Sequence, residues 1–171
     1  TCALLKTGAV SCWGGPGQSY PPREMSPIQD AVGLSVGGDG LASGDAVTSN
    51  SNEEFACAVL SSGRVSCWGS NDEGRLGDGH LGSSGNPTEV VGLDSAVQVS
   101  AGGYHACAVT EPGFVYCWGA NGFGTLGNGT VTSSNLPVKV KGISSATAVS
   151  AGLLHSCALL RNQTVTCWGG N

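Results

Sequence analysis

The hydrophobic and polar positions of this chain alternate over short segments that recur along its whole length. Segments such as AVQVSAG (96–102) and ATAVSAG (146–152) place small apolar and polar residues at alternate positions, which is typical of half-buried β-strands. Each is followed by a pair of strand-like segments, such as HACAV (105–109) and FVYCWG (114–119). No segment shows a helical period of useful length. The pattern therefore predicts an all-β protein built from short strands.

A hairpin motif with two cysteines occurs four times. It begins at the first cysteine and ends at Trp-Gly, as in CAVLSSGRVSCWG, and its copies span residues 2–14, 57–69, 107–119 and 157–169. The starts are separated by 55, 50 and 50 residues, and a fixed period near 50 predicts stacked or radially arranged repeat units. We therefore treat residues 1–171 as a single repeat domain of about three and a half units.

The first unit departs from the period in two compensating ways. About ten residues are missing after Trp13, and fifteen are added as the insertion 39–53, DGLASGDAVTSNSNE. Loops of this kind on a rigid scaffold often carry function. The alternative, a plain Gly/Ser-rich connection, fits the insertion equally well.

The spacing of the cysteines fits a disulfide across each hairpin. With a three-residue loop at 61–63 and Gly63 in the left-handed conformation, Cys57 lies opposite Cys67, at a Cα separation of about 4.5–5.5 Å that a disulfide allows. Zinc ligands usually lie closer together in the sequence, and free buried cysteines would not need to recur as opposed pairs. The same count predicts four bonds: Cys2–Cys12, Cys57–Cys67, Cys107–Cys117 and Cys157–Cys167. Such bonds indicate an oxidising compartment.

Two further positions of the hairpins carry predictions. Gly8 and Gly113 occupy the loop position of Gly63, but Gln163 stands there in the fourth loop, so that either Asn162 takes the left-handed turn or the loop differs. A tryptophan follows each second cysteine on the opposite face of the strand. We predict that these side chains pack between neighbouring sheets, with an aromatic ligand platform as the alternative: Trp13, Trp68, Trp118 and Trp168.

Composition excludes several classes of partner. Seven Lys and Arg against twelve Asp and Glu give a formal charge of −5. No cluster of cations is present, so that we expect no nucleic acid partner. No stretch approaches the length of about 18 apolar residues that a membrane span needs. The chain begins inside a motif, at Thr1-Cys2, and we interpret it as a mature product or a fragment without its targeting segment.

The combined string H-x-C-A-V/L … V-x-C-W-G-x-N-x-x-G-x-L-G-x-G … P-x-x-V … V-S-A-G resembles the regulator of chromosome condensation repeat. The similarity is greatest to the cysteine-bearing form seen in bacterial and other extracellular proteins. It covers nearly the whole chain and is weakest in the first unit, where G-x-L-G is missing. It is strongest in the second and third units, through Asn71, Gly74, Leu76, Gly77, Asn121, Gly124, Leu126 and Gly127.

The resemblance implies a β-propeller, usually of seven four-stranded blades. About three and a half units are too few to close such a ring, so that we expect an incomplete ring or an open stack. Three explanations stay open. The chain is a fragment of a longer protein, or half of a ring that two copies complete, or a subunit that joins others end to end as in a fibre.

The candidate chemistry is sparse. His105 and His155, with Ser100 and Ser150 nearby, are the candidates for catalysis, but the repetition of the histidines at one repeat position favours a structural role such as a hydrogen bond between strands. The acidic residues around the insertion match no established calcium loop: Asp39, Asp45, Glu53 and Glu54. We therefore predict no catalytic residue, no cofactor and no metal site.

Two sequons fall in predicted loops, where N-glycosylation is sterically feasible. They are Asn128-Gly129-Thr130 and Asn162-Gln163-Thr164. An oxidising compartment would favour attachment of glycans at Asn128 and Asn162.

The main hypothesis for function is a non-catalytic scaffold that is secreted or held at the cell surface. It would bind protein partners or copies of itself through open blade edges, as part of a larger assembly or fibre. The family resemblance supplies the alternative, a guanine-nucleotide exchange factor for a small GTPase. An enzyme with a site at the acidic insertion ranks third.

Overall fold

The computed structural model describes residues 1–13, 21–38 and 54–170, and within these ranges it contains fourteen β-strands and no helix. The strands form four antiparallel sheets of three, four, four and three strands. The predicted all-β architecture of antiparallel blades is confirmed. The insertion 39–53 lies outside the described residues, as do residues 14–20 and 171. Within the described ranges no helix is long and apolar enough to cross a membrane.

We number the four sheets as blades in chain order. Blade 1 contains β1 (Cys2–Leu4), β2 (Val10–Cys12) and β3 (Arg23–Glu24). Blade 2 contains β4 (Ala31–Gly37), β5 (Phe55–Leu60), β6 (Val65–Gly69) and β7 (Ser84–Glu89). Blade 3 contains β8 (Ala96–Ala101), β9 (His105–Thr110), β10 (Val115–Gly119) and β11 (Ser134–Lys139). Blade 4 contains β12 (Ala146–Ala151), β13 (His155–Leu160) and β14 (Val165–Gly169).

Strands that follow one another in the chain are neighbours in each blade. Blade 2 has the order β4-β5-β6-β7, and blade 3 repeats it with β8-β9-β10-β11. Blade 1 contains the counterparts of the last three of these strands, and blade 4 contains the counterparts of the first three. Each motif hairpin therefore forms the middle of its repeat unit.

The hairpins have the predicted register. Cys57 pairs with Cys67 and Val59 with Val65. The loop is closed by a 2.9 Å hydrogen bond from the Leu60 amide to the Arg64 carbonyl. Gly63 takes a left-handed φ of 81°, which a residue without Cβ adopts at no steric cost.

The fourth hairpin keeps this geometry with a different residue. Gln163 itself takes the left-handed conformation, with φ 68°. Asn162 therefore does not carry the left-handed turn, and the loop keeps the conformation of the other three. A side chain thus stands at the position that glycine occupies in the other hairpins.

The hydrophobic core is distributed between adjacent blades. Between blades 2 and 3, the cystine of blade 2 packs with Val59 and Val65 against Ala106, Ala108 and Trp118 of blade 3. The junctions between blades 1 and 2 and between blades 3 and 4 repeat the pairing with their own cystines, alanines and tryptophans. The prediction that the tryptophans pack between sheets is confirmed for Trp68 and Trp118, which are buried. Each blade thus depends on its neighbours for a complete core.

Candidate functional site

Each motif hairpin is closed by a disulfide. The four bonds are Cys2–Cys12, Cys57–Cys67, Cys107–Cys117 and Cys157–Cys167, and no cysteine is free. Each bond closes a loop of eleven residues, which contributes about 2.8 kcal/mol to stability in the chain-entropy model. Because every bond lies within one blade, the contacts between blades are non-covalent apart from the chain itself.

An asparagine organises the loop that follows the hairpin in blades 2 and 3. The carboxamide oxygen of Asn71 accepts a 2.9 Å hydrogen bond from the Leu76 amide. Its nitrogen donates to the carbonyls of His80 and Gly82 at 3.1 and 3.2 Å. Asn121 repeats this network with Leu126, Thr130 and Thr132 at 2.9, 3.1 and 3.0 Å. Both asparagines are buried, so that these bonds replace those with water.

The G-x-L-G run packs against the tryptophan of the next blade and accepts a hydrogen bond from its indole. A Cβ on Gly77 would lie 2.9 Å from the indole of Trp118, and one on Gly127 would lie 2.7 Å from that of Trp168. The carbonyl two positions before each glycine accepts the indole N–H, since Trp118 donates to the Arg75 carbonyl at 2.9 Å and Trp168 to that of Thr125 at 2.8 Å. The sequence motif therefore encodes a blade-to-blade contact.

His105 makes a buried hydrogen bond between blades 3 and 4. Its Nε2 lies 2.8 Å from the hydroxyl oxygen of Ser156, and this hydroxyl donates to the Thr125 carbonyl at 3.1 Å. The Ser156 hydroxyl thus links the imidazole to the Thr125 carbonyl, and the tautomer of His105 sets which atom donates in the Nε2–Ser156 bond. Nδ1 has no hydrogen-bond partner among the described residues, and both side chains are fully buried.

This environment favours the neutral imidazole. Burial, together with the charge of nearby His155, lowers the pKa of His105 from 6.5 to about 4. The charged ring carries a proton on each nitrogen, and the proton on Nδ1 would have no acceptor among the described residues. The pair therefore holds two blades together, and its burial leaves no room for a substrate.

Of the two serines that the sequence offered as catalytic candidates, Ser100 binds the backbone of the next blade. The Ser100 hydroxyl accepts a 3.0 Å hydrogen bond from the Ala151 amide. Ser35, at the same position of blade 2, accepts one of 2.9 Å from the Ala101 amide. Ser150 occupies this position in blade 4, where it is exposed. The histidine partner is instead Ser156, which stands where blades 2 and 3 have alanine.

The two sequon asparagines differ in surroundings. The Asn128 oxygen accepts hydrogen bonds from its sequon threonine, Thr130, and at 3.3 Å from the buried Asn121. Asn162 lies at the exposed tip of the fourth hairpin, where its oxygen accepts bonds from Thr164 at 3.1 and 2.7 Å. Only Asn128 is therefore tied to the interior of the protein.

The acidic candidates for calcium are only partly within the structure. Glu54 is exposed, whereas Asp39, Asp45 and Glu53 lie outside the described residues. Across the described ranges, no three His, Cys, Asp or Glu side chains come together in a way that could hold a metal ion. His80 is exposed in the loop after blade 2, where its amide donates to Asp78 at 3.0 Å.

A cavity of about 420 Å³ lies between blades 1 and 2. Its lining includes Met25, Phe55 and Trp68, together with Trp13 and Pro21. The last two residues flank the segment 14–20, which lies outside the described residues. In the other junctions the counterpart of this segment is the G-x-L-G loop, which contributes the buried Leu76 and Leu126 to the core.

Sequence reasoning missed a buried arginine. The guanidinium of Arg75 lies 5.8 and 5.1 Å from the ring centres of Phe55 and Tyr104, and its side chain is 1% exposed. Its position in the loop of blade 2 is occupied by threonine in blade 3, so that the repeat pattern gave no signal for it. The cation–π contacts compensate part of the lost hydration.

The chain superposes on solved structures at low sequence identity. Human WBSCR16 matches with a TM-score of 0.79 and 19% identity, over 98% of this chain and 44% of that one. Yeast RCC1 (Prp20), solved bound to Kap60, matches with 0.73 and 19%, over 98% and 41%. The ectodomain of the Physcomitrella patens receptor kinase CR4 matches with 0.59 and 20%, over 98% and 38%. The chain thus spans less than half the length of each.

The sequence itself matches a known repeat. The model of the regulator of chromosome condensation (RCC1) repeat matches residues 62–109 and 112–159, and a second model of the same repeat matches residues 96–125. These matches cover more than half of the chain and contain the Asn71 and Asn121 loops together with both G-x-L-G runs. The chain therefore belongs to the family of proteins with regulator of chromosome condensation (RCC1) repeats.

Proposed function

We propose that this chain is a non-catalytic scaffold that works outside the cell or at the cell surface and binds other proteins. The observation that carries the proposal is the disulfide across every hairpin, which leaves no cysteine free. Disulfides persist in oxidising compartments and are rare in the cytosol and the nucleus. An extracellular setting therefore explains all eight cysteines at once.

The hydrogen bonds of the buried polar residues support the proposal of a non-catalytic scaffold. His105, Ser100 and Ser156 would be the natural choice for acid–base or nucleophilic chemistry. All three are engaged in hydrogen bonds between blades. These bonds hold the blades in fixed relation, which keeps the exposed loops in place for binding. Because a propeller fold hosts unrelated functions, the fold alone does not decide between them.

The solved relatives support proteins as partners. Yeast RCC1 (Prp20) is solved bound to Kap60, and a second structure of Prp20p is described together with its binding to Gsp1p and histones. The moss relative is the ectodomain of a receptor kinase. For this chain we infer protein partners, copies of itself included, and glycans on its sequons. The charge of −5 speaks against nucleic acid.

Whether the cysteines of the natural protein are oxidised tests the proposal that it works in an oxidising, extracellular compartment. Protein purified from its source is alkylated before reduction and again after it, and the intact masses are compared. We expect no label before reduction and eight labels after it. Eight labels before reduction would overturn the proposal. That outcome favours the alternative, a guanine-nucleotide exchange factor in a reducing compartment, for which release of labelled GDP from a small GTPase is the assay.

The binding role is tested on intact cells of the source. A membrane-impermeant cross-linker is applied, and the cross-linked protein is identified by peptide mass. Cross-links to an external protein or between copies support the scaffold. A chain that gains none, although its surface lysines are labelled by a monofunctional reagent of the same reach, argues against it.

A further inference from the structure

A groove of about 450 Å³ lies between the hairpin tips of blades 2 and 3, and its size is within the range of ligand pockets. Residues 60–63, at the tip of blade 2, and residues 94–97, which lead into β8, form most of its lining. Glu111, at the tip of blade 3, and Val32 of β4 complete it. Both blades have a neighbour on each side within the chain, so that an internal junction forms this groove. We call these lining residues the tip groove.

Two valines of the tip groove are exposed although each belongs to a strand. Val32 is 62% exposed and Val97 is 56% exposed. Each is the second residue of the first strand of its blade, where a β-bulge interrupts the pairing with the next strand. A bulge re-aims a side chain and is common beside functional sites. The two bulges therefore give the groove an apolar surface that does not belong to the core.

The tip groove is also negatively charged. Asp94 and Glu111 line it and are exposed, and its described lining residues include no lysine, arginine or histidine. The carboxylate of Asp30 accepts a 3.1 Å hydrogen bond from the Ser61 hydroxyl, so that it lies at the same hairpin tip. Arg64, just after this tip, already forms a 2.9 Å ion pair. The groove thus combines apolar surface with carboxylates that no cation of its own lining neutralises.

This combination is specific to one junction and is not a property of the repeat. One unit later in the chain, different residues stand at the positions of Asp94, Val97 and Glu111. Their counterparts are a serine, a threonine and an arginine: Ser144, Thr147 and Arg161. The junction between blades 3 and 4 therefore keeps the hairpin geometry but lacks both carboxylates and the second valine. Packing of the repeats does not require these side chains.

We propose that the tip groove binds a segment of another protein in which lysine or arginine alternates with large apolar side chains. The proposal rests on the proposed scaffold function and specifies the chemistry of the partner. The apolar side chains of the segment contact Val32 and Val97. Its cations pair with the carboxylates of Asp94 and Glu111.

Other kinds of occupant match only part of the tip groove. A wholly apolar segment would remove water from Asp94 and Glu111 without giving them a partner, which is costly. An acidic segment or a nucleic acid would be repelled by both carboxylates. For a metal ion, the described residues offer no group of three acidic, histidine or cysteine side chains. A segment that is both basic and apolar complements the charge and the apolar surface together, and complementary charge gives an interface its specificity.

Fluorescence anisotropy of labelled peptides mixed with the oxidised 171-residue chain tests the proposal. The probe is a short peptide in which arginine alternates with leucine, and two comparison peptides replace either every arginine by glutamine or every leucine by serine. The groove variant, Asp94→Ser with Glu111→Arg, installs the residues of the next repeat. The matched control, Asp72→Ser with Glu24→Arg, changes the net charge equally at exposed residues outside the groove. Near-UV circular dichroism verifies that both variants keep the fold.

We expect saturable binding of the arginine–leucine peptide to the wild type and to the matched control, with similar Kd values. The groove variant should bind it at least about tenfold more weakly, because one carboxylate is lost and the other is replaced by a cation. Each comparison peptide should bind the wild type more weakly than the probe does, since it lacks either the cations or the apolar side chains. Added salt should weaken binding of the probe, because the carboxylates are exposed and are screened by ions.

Several results would contradict this assignment. If no peptide binds saturably, or if a comparison peptide binds as well as the probe, the groove does not recognise a basic and apolar segment. If the groove variant binds like the wild type, the site lies elsewhere on the protein. If the groove variant and the matched control lose affinity equally, the net charge of the chain attracts the peptide. Each of these results leaves the scaffold function standing, because that depends on the cysteines and the cross-links of the natural protein.

Discussion

The imidazole of His105 and the hydroxyl of Ser156 meet 2.8 Å apart in the interior of the junction between blades 3 and 4. They are separated by 51 residues in the chain and come together only when the two blades dock. Burial and the charge of His155 lower the pKa of His105 to about 4, so that the docked junction holds the imidazole in its neutral form. Docking of the blades and protonation of this side chain therefore oppose each other.

Acid should weaken the protein through His105. The unfolded chain binds the proton with a pKa near 6.5 and the folded chain only near 4, so that this contribution is complete above pH 6.5 and is lost as the pH falls towards 4. We expect a loss of about 3 kcal/mol from this group, measured as the free energy of unfolding by urea at several pH values. His105→Phe, which copies the phenylalanine that blade 2 has at this position, should flatten the dependence over this range. The same substitution at exposed His80 serves as the control for the loss of a histidine elsewhere. If the His105→Phe variant lost as much stability in acid as the wild type, the loss would come from groups other than His105.

A reductant should reduce the four disulfides in a defined order. Thiol–disulfide exchange needs access to a sulfur, and Cys167 is exposed, whereas Cys107 and Cys117 are fully buried. Under mild reduction of dilute protein, we expect the bond of blade 4 to open first and the bonds of blades 2 and 3 last. Alkylation at intervals and peptide mass analysis give the order. Loss of all four bonds at one common rate would mean that global unfolding governs their reduction.

Gly63→Ala should destabilise the protein more than Gly92→Ala. Both glycines have a left-handed φ, 81° and 77°. An alanine at either position is therefore strained by this backbone conformation. A Cβ on Gly63 also meets the Asp94 carbonyl at 2.6 Å, whereas one on Gly92 meets nothing within 4 Å. We expect an additional cost of at least about 1 kcal/mol for Gly63→Ala, measured by urea unfolding. Equal costs would show that the next blade does not pass so close to the loop.

One of the two sequons should carry a glycan when the chain passes through a eukaryotic secretory pathway. Asn162 stands at an exposed hairpin tip, while Asn128 is held by Asn121 within the loop after blade 3. Asn162→Gln should remove the mass that an endoglycosidase releases, and Asn128→Gln should keep it. The reverse result would assign the glycan to the loop. A wild type without glycan mass would show that neither sequon is used.

Local spacing made part of this structure predictable. The register that joins Cys57 to Cys67 follows from a short loop and from antiparallel pairing, both of which depend only on neighbouring residues. The recurrence of Trp68 and Trp118 after the cysteines likewise predicted their burial between sheets. Such features repeat with the sequence period and could be recognised from it.

The contacts between blades could not be predicted in the same way. Ser156 replaces an alanine of the repeat, and nothing near it in the sequence indicates that it receives a bond from His105. Ser100 seemed a candidate for chemistry because it is a hydroxyl near a histidine in the sequence, but in the folded protein it accepts a bond from the Ala151 amide of the docked blade. These roles depend on how two units meet, which the pattern within one unit does not contain.

The confinement of each disulfide to a single hairpin has a consequence for biosynthesis. Eight cysteines can pair in roughly a hundred ways, yet here each one joins the partner ten residues away. The correct partner emerges from the ribosome within roughly a second or two, before the next unit has been made. Oxidation can therefore accompany synthesis unit by unit, and a chain of such repeats can lengthen by duplication without enlarging its problem of cysteine pairing.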